Sequence, residues 1–411
     1  MHQKVGLQPK LSVFISFVVI FFLISFADAI MSYISPVFIE SQVNDLTLMG
    51  IIFSFSSVVG IICDMVFPKI FSQKQHFFYL KVTVLSAILF PGTLLFFPQH
   101  VMTLIFAMAI WGLYFELNMF SSFQFVHKYV HVQEHTRAWG ILQAFQSAAY
   151  GIAPPIAAFL IKDMFEPGFY AVFAFLGIAV FLTIFFKVAF VNTQAHHIYR
   201  EKPTKSWAAE FRIWKVLAQR VWPLLVLQIA VYTIDASFWT IGALLMEDLS
   251  HQHSLGAFLL SAYIVPAAVV SLFLGSLPFP FGKKKTALIS SILAGAFLAL
   301  YAITPSVPML LIITMIISVL LGIAVPEIKA TFEDYVSRLK NDDSEMIGLQ
   351  GSSSSLAYVI GPILGTFLAS IVGIPVSFSI LGLLLFCISI FLLFVTPKKI
   401  MMPQEALADL D

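Results

Sequence analysis

Apolar runs of membrane-spanning length follow one another along almost the whole chain. A helix needs about 20 mainly apolar residues to cross the hydrocarbon core of a bilayer. Twelve runs reach that length, and they cover residues 11–37, 48–68, 77–97, 101–126, 138–161, 169–191, 221–246, 255–278, 286–304, 308–331, 347–371 and 375–396. Because backbone amides cannot stay unpaired in lipid, and because barrel strands are shorter, the runs predict an all-α, polytopic membrane protein with twelve transmembrane helices.

The composition leaves lipid as the solvent for most of the surface. Hydrophobic residues make up 59% of the chain and charged residues only 11%, whereas a soluble domain is roughly 25% charged. The net charge of +1 gives no electrostatic reason to expect a nucleic-acid partner. Cys63 and Cys387 lie far apart in apolar runs, so the sequence predicts neither a thiolate metal site nor a cofactor.

Basic residues are distributed unequally between the two sets of connections. The even-numbered connections and both termini carry nearly all of the lysines and arginines, while the odd-numbered connections carry only Lys162. By the positive-inside rule, this predicts a multi-pass protein of the cell membrane with both termini in the cytoplasm. Residues 192–220 are predicted to be a cytoplasmic central loop with either an interfacial helix or an extension of the seventh helix. Residues 397–411 are predicted to be a cytoplasmic tail.

The two halves of the sequence resemble each other at a nearly constant offset. Asp28 and Asp235 are 207 positions apart, as are Glu40 and Glu247. Seven residues of the fifth run recur 208 positions later in the eleventh: Gly140, Ala149, Tyr150, Ile152, Pro154, Phe159 and Leu160 return as Gly348, Ala357, Tyr358, Ile360, Pro362, Phe367 and Leu368. The repeat predicts two pseudo-symmetric six-helix bundles, 1–191 and 221–396, with a solute site between them near the midplane.

Ionisable side chains inside the apolar runs are the candidates for that site. Each costs about 2.5–3.5 kcal/mol at the bilayer centre by insertion scales, and they occupy the first and fourth helix of each half. We therefore expect a wet central cavity whose carboxylates bind substrate or protons. The predicted site consists of Asp28, Glu116, Asp235, Glu327, Lys329, Tyr114, Tyr232 and Trp239. The alternative is structural, with the acids holding helices together and Glu327 paired with Lys329.

The twelve spans, the repeat and a motif found in degenerate form in two connections together give a family resemblance. The chain resembles the major facilitator superfamily, whose motif in these connections is G-x-L-x-D-x-x-G-R-K. After the second helix, Phe67 and Pro68 replace the second glycine and the arginine, and after the eighth helix Phe279 replaces the aspartate. The resemblance implies that the matching residues form gate loops: Gly60, Asp64, Lys69, Gly275, Gly282, Lys283 and Lys284.

A second motif of that superfamily, G-x-x-x-G-P-x-x-G-G, marks the fifth helix of its proton-driven antiporters. Alanines replace every glycine around Pro154 in this chain, whereas the eleventh helix keeps Gly361, Pro362 and Gly365. Small residues let helices approach closely. We therefore interpret Pro154, Gly361, Pro362 and Gly365 as helix-packing residues.

The resemblance and the buried acids together predict a secondary transporter and not an enzyme. It is expected to be a monomer that moves a small molecule by alternating access, with protons as the coupling ion. Carboxylates among aromatic side chains such as Tyr232 and Trp239 favour export of a cationic or amphipathic compound. Uptake of a neutral metabolite such as a sugar with a proton stays open, as does a receptor or regulator without transport on the same scaffold.

Overall fold

A computed structural model describes residues 11–70, 76–98, 100–130, 134–190, 207–274, 281–339 and 343–397. These residues form thirteen α-helices and no strand, which confirms the all-α prediction. The helices are α1 (Leu11–Val43), α2 (Leu46–Ile70), α3 (His76–Phe96), α4 (Val101–Tyr129), α5 (His135–Leu160), α6 (Glu166–Phe190), α7 (Trp207–Trp239), α8 (Ile241–Gln252), α9 (Leu259–Phe273), α10 (Lys283–Leu298), α11 (Val307–Val336), α12 (Asp343–Val372) and α13 (Ile374–Val395).

The helices correspond to the predicted spans, with one span divided in two. The seventh span forms α7 and α8, which are separated at Thr240, where ψ is −84°. The Thr240 hydroxyl donates to the Ala236 carbonyl at 2.8 Å, and this type of back-bonding bends helices. Residues 207–220 continue directly into the seventh span as the first part of α7, whereas residues 192–206 lie outside the described part of the chain.

Eleven helical segments in the described residues are long and apolar enough to cross a bilayer. The remaining predicted span, α5, has 26 residues but carries polar groups in its middle, including Gln143, Gln146 and Ser147. It packs against α1 and α9, so protein surrounds part of its surface. Large apolar side chains, such as Phe159 on α5 and Phe394 on α13, are exposed, which suits contact with lipid rather than water.

The helices pack as two six-span halves that repeat the same neighbours. In the N-terminal half, α1 packs on α5, α2 on α4 and α3 on α4; in the C-terminal half, α7 packs on α12, α9 on α11 and α10 on α11. Offset repeats in the sequence therefore correspond to equivalent helix contacts. Small residues make one of these contacts close, because a Cβ on Gly361 would lie 2.6 Å from the Ala236 Cβ and one on Gly365 would lie 3.2 Å from the Ser237 hydroxyl.

The halves meet mainly at one end of the bundle, which we name the closed end. There α1, α5 and α12 end and α2 and α9 begin. The Thr47 and Ser370 hydroxyl oxygens are 3.3 Å apart. A Cβ on Gly50 would lie 2.6 Å from the carbonyl oxygen of Pro362, so α2 and α12 are in backbone contact. Pro154 is buried in α5, and the Gly151 carbonyl beside it accepts a hydrogen bond from Ser261 of the other half at 2.6 Å.

Candidate functional site

Asp28 lies on α1 inside the N-terminal half and is only 7% exposed. The indole nitrogen of Trp111 on α4 donates to its Oδ1 at 2.8 Å, and the Tyr150 hydroxyl on α5 donates to its Oδ2. Both donors are neutral. The carboxylate is therefore satisfied by hydrogen bonds while its charge has no cation bound to it, an arrangement that makes a buried charge tolerable without neutralising it.

Asp235 is the equivalent residue of the C-terminal half, on α7. The Tyr263 hydroxyl on α9 donates to its Oδ1 at 2.8 Å, and the Tyr358 hydroxyl on α12 donates to its Oδ2. Asp235 differs from Asp28 in being only partly buried. Lys329 on α11 lies near enough to act on its charge.

The two sites share an aspartate and a tyrosine that the repeat carries to equivalent positions. Asp28 and Asp235 are 207 positions apart, and Tyr150 and Tyr358 are 208 apart. Sequence reasoning did not include either tyrosine among the candidate site residues. A signal was available, because both tyrosines belong to the fifth-run and eleventh-run repeat and keep almost the same offset as the aspartates.

The two aspartate sites adjoin through aromatic side chains. Trp239, one helical turn after Asp235, contacts the ring of Tyr150 in the other half, with 5.2 Å between ring centroids. Tyr232, one turn before Asp235, lies 6.2 Å from the ring of Tyr358. Tyr150 is therefore in contact with Asp28 on one side and with the C-terminal half on the other.

A cavity of about 10 Å³ lies beside Asp28, between α1, α3, α4 and α6. This is about the space that one water molecule requires. Tyr114 lines the cavity, and its buried hydroxyl has no hydrogen-bond partner among the described residues. Tyr114 thus faces the interior of the N-terminal half, whereas Trp239 on α7 contacts the other half and Tyr232 lies against Tyr358 of its own half.

The remaining two acids have neighbours other than the aspartate pair, each on or beside the second or third helix of its half. Glu116 on α4 faces α2, because a Cβ on Gly60 would lie 3.1 Å from the Glu116 Oε1. Glu327 on α11 lies near enough to Lys283 and Asp334 for both to act on its charge. The structure therefore brings Asp28 and Asp235 to adjoining positions and does not bring Glu116 and Glu327 there.

Glu327 and Lys329 form no ion pair in the described part of the chain. Residues two apart on a helix point to different faces. Glu327 accordingly faces α10, while Lys329 is exposed and acts on Asp235. The alternative hypothesis, that Glu327 and Lys329 form a local structural ion pair, is therefore wrong, because helix geometry directs the two side chains to different faces.

The predicted gate residues of the C-terminal half that the structure describes contact other residues of that half, whereas Gly60 lies on α2 beside Glu116. Gly282 precedes the first residue of α10. Lys283 donates to the Asp334 carboxylate at 2.8 Å, and Lys284 donates to the Tyr335 hydroxyl at 3.2 Å. The side chains of Asp64 and Lys69, and all of Gly275, lie outside the described residues.

Comparison with known proteins gives a family and a fold. The Major Facilitator Superfamily model matches residues 224–408. No curated protein sequence matches the chain. A bacterial homologue of the human lysosomal transporter Spinster, solved inward-facing and unoccupied, has a TM-score of 0.72 and 10% identity, with 96% of this chain and 98% of that chain covered.

Two other solved transporters have the same fold. A variant of the nucleoside transporter NupG has a TM-score of 0.70 and 9% identity, with 93% of this chain and 98% of that chain covered. The peptide transporter POT in complex with sulfate has a TM-score of 0.74 and 13% identity, with 94% of each chain covered. Residues 224–408 thus match the Major Facilitator Superfamily model, and the fold of the chain agrees with that of these solved transporters.

Proposed function

We propose that this transporter couples the movement of a small solute to protons by alternating access, with Asp28 and Asp235 as its central carboxylates. One observation carries the proposal: the two halves hold the same aspartate–tyrosine pair at equivalent positions, and the pairs adjoin through the Tyr150–Trp239 contact. A duplicated pair of buried acids where two halves meet is well suited to a site that both halves share.

The hydrogen bonds of the aspartates support proton exchange. Asp28 receives hydrogen bonds from Trp111 and Tyr150, both uncharged. Because no cation is fixed to the carboxylate, a proton or a cationic solute can neutralise it without first displacing an ion pair. Intramembrane acids in such surroundings commonly belong to proton relays.

The position of the contacts supports alternating access. The described hydrogen bonds between the halves lie toward the closed end, as between Thr47 and Ser370 and between Ser261 and Gly151. Loss of these contacts and formation of others at the opposite end would expose the centre to the other side. Such rocking of rigid halves is a known mode of closure.

The side chains around the aspartates favour a cationic or amphipathic solute. Tyr150, Trp239, Tyr232 and Tyr358 surround the two carboxylates with aromatic rings. Aromatic faces attract cations, and carboxylates neutralise them. We accordingly propose export of such a compound, with uptake of a neutral metabolite as the competing direction and substrate class.

A flux assay distinguishes these two substrate classes. The purified protein is reconstituted in liposomes with a pH gradient of either sign, and uptake of radiolabelled tetraphenylphosphonium is compared with uptake of radiolabelled glucose. Proton-coupled export predicts that the cation moves opposite to the proton. Movement of glucose in the same direction as the proton would support the symport alternative. Ligand-induced thermal shifts can widen the choice of probes beforehand.

Substitutions in the same assay test the proton coupling. Asp28→Asn and Asp235→Asn are each expected to lower gradient-driven flux more than tenfold, because neither amide can exchange a proton. Asp163→Asn alters an exposed acid between α5 and α6 and is expected to leave flux unchanged. Proton coupling is refuted if Asp28→Asn, Glu116→Gln and Asp235→Asn all keep the unaltered flux.

Orientation and oligomeric state complete the proposal. The basic residues in the even-numbered connections support a cell-membrane protein with cytoplasmic termini. We propose that it works as a monomer, because the predicted site lies between the two halves of one chain. Tags at the two ends should be digested by protease in inside-out vesicles and protected in right-side-out vesicles. Light scattering of the purified protein in detergent should give the mass of one chain after subtraction of the micelle.

A further inference from the structure

We propose that Tyr150 is a switch that ties proton uptake at Asp28 to the position of the two halves. The proposal rests on the proton-coupled function above and assigns the switch to the N-terminal half. It makes Tyr150 a positioning residue, because the proton itself is held on Asp28.

The partners of Asp28 determine which oxygen can carry the proton. Trp111 donates to Oδ1 at 2.8 Å, and an indole nitrogen can donate but cannot accept. A proton on Oδ1 would therefore oppose the indole N–H. The proton has to reside on Oδ2, which faces the Tyr150 hydroxyl.

A protonated Oδ2 requires the Tyr150 hydroxyl to reverse its role. A tyrosine hydroxyl both donates and accepts, so it can accept from Asp28 if its own hydrogen turns to another acceptor. The Ser32 side chain lies close enough to that hydroxyl to act on it, and a small rotation would let the hydroxyl donate to the Ser32 oxygen. The Ser32 hydroxyl donates its own hydrogen to the Asp28 carbonyl at 2.9 Å, so its oxygen remains able to accept.

The proton balance of this step is simple. One proton enters from water and binds Asp28 Oδ2, so the charge of Asp28 changes from −1 to 0. The Tyr150 hydroxyl turns from Asp28 to Ser32 and stays neutral, and no other group gains or loses a proton. Every polar hydrogen of the three side chains has an acceptor both before and after the step.

The equivalent site of the C-terminal half lacks the residue that this step needs. The residue 207 positions after Ser32 is Trp239, which has no hydroxyl. Asp235 also lies near enough to Lys329 for the ammonium group to act on its charge, whereas the described partners of Asp28 are neutral. The two aspartates share a tyrosine partner but differ in where that tyrosine can turn.

Trp239 also provides the link to the conformation of the protein. Its ring contacts the Tyr150 ring across the two halves, edge to face, with 5.2 Å between centroids. Movement of the halves relative to each other changes this contact and therefore the freedom of Tyr150 to turn. Trp239 stands in the C-terminal half where the N-terminal half has Ser32. Its contact with Tyr150 thus restricts how the Tyr150 hydroxyl can turn.

Among the residues that the structure describes, few other groups act on this site. Tyr114 on α4 and Tyr150 on α5 are the titratable side chains beside Asp28. The cavity residues of α3 and α6 are apolar: Ala87, Phe90, Val172 and Leu176. The packed side chain from α7 is Trp239, which does not titrate. The protonation of Asp28 can therefore be read without a second carboxylate of similar behaviour in contact with it.

Infrared titration of the purified protein tests the proposal without a solute. The carboxyl C=O band of Asp28 is followed against pH and is assigned by its loss in Asp28→Asn. Tyr150→Phe removes a donor to the carboxylate, so the band should persist to about tenfold lower proton concentration. Ser32→Ala removes the acceptor for the turned hydroxyl, so the band should appear only at higher proton concentration than in the unaltered protein.

Tyr358→Phe is the matched control, because Tyr358 is the repeat of Tyr150 and should leave the Asp28 band unchanged. Asp235→Asn should leave the titrating band in place. The proposal is overturned if Tyr150→Phe has the unaltered profile, if Ser32→Ala shifts in the same direction as Tyr150→Phe, or if Asp235→Asn removes the band. If Tyr150→Phe does not fold, the Ser32→Ala and Asp235→Asn profiles still decide the matter.

Failure of this proposal is distinguishable from failure of the proposed function. If Asp28→Asn abolishes gradient-driven tetraphenylphosphonium flux but Tyr150→Phe leaves the Asp28 band unchanged, proton coupling stands and the switch is refuted. If flux survives in Asp28→Asn, proton coupling at this residue is refuted whatever the infrared titration shows.

Discussion

The hydroxyl of Tyr33 on α1 donates a hydrogen bond to the carboxylate of Glu247 on α8, and this bond joins the two halves at the closed end. Tyr33 is fully buried. The imidazole of His251 lies 3.1 Å from the other oxygen of Glu247. The three side chains form a polar connection in an interface whose other members are mostly apolar, so its loss should act on the conformational equilibrium more than on the fold.

Tyr33→Phe should therefore increase the population of molecules in which the two halves are separated at the closed end. The substitution keeps the ring and removes a hydrogen bond to a charged group, worth about 1.5–3 kcal/mol. Spin labels at Asp45→Cys and Gln252→Cys, both exposed, report the separation of the halves by pulsed electron resonance. We expect a larger population of long distances in Tyr33→Phe.

The control for that measurement is Tyr170→Phe, which removes a hydroxyl from an exposed tyrosine of α6. It should leave the distance distribution as it is in the unaltered protein. An identical distribution in Tyr33→Phe would show that the bond to Glu247 does not hold the closed end together.

A cross-link between α2 and α12 should stop transport. The hydroxyl oxygens of Thr47 and Ser370 are 3.3 Å apart across the halves, so Thr47→Cys with Ser370→Cys brings two thiols close together. In a background with Cys63→Ser and Cys387→Ser, oxidation should abolish tetraphenylphosphonium flux and a reducing agent should restore it. Each single cysteine variant should be insensitive to oxidation. Full flux through the oxidised double variant would contradict rocking at this interface.

Gly50→Ala should favour a conformation in which the two halves have separated at the closed end. A Cβ there would lie 1.9 Å from the Thr366 hydroxyl and 2.6 Å from the Pro362 carbonyl oxygen, so α2 and α12 could no longer approach each other. With the same spin labels, the long distances should dominate. Gly92→Ala on α3 is the control, because a Cβ there meets nothing within 4 Å. A short-distance distribution in Gly50→Ala would contradict this expectation.

The sequence was sufficient for the spans because lipid constrains their length, and for the repeat because the two halves keep a nearly constant offset. A bilayer demands about 20 apolar residues per crossing, so hydropathy alone predicted the helices. Only α5 falls below the usual hydropathy, because Gln143 and Gln146 lie in a helix that packs on both halves. Duplication then fixed the architecture, since offsets of 207 and 208 positions relate equivalent helices.

The sequence was insufficient for the site because hydropathy does not determine how a helix is rotated about its axis. Both Asp28 and Glu116 are acids in apolar runs, yet one faces Tyr150 and the other faces Gly60. Helix geometry could have separated Glu327 from Lys329, which are two residues apart. The choice of closed end could not have been predicted, because one sequence supports more than one arrangement of the halves.

The C-terminal half should be destabilised by one methyl group between α10 and α13. A Cβ on Gly295 would lie 2.6 Å from the Phe386 amide nitrogen and 2.7 Å from the Gly382 carbonyl oxygen. Because backbone lies on the facing side, no flexible side chain can move away, and we expect Gly295→Ala to cost about 1–3 kcal/mol. Gly177→Ala on α6 meets nothing within 4 Å and should be neutral or slightly stabilising, since alanine favours helix. The melting temperatures of the two purified variants in detergent test the contact, and equal values would show that α10 and α13 do not pack this closely.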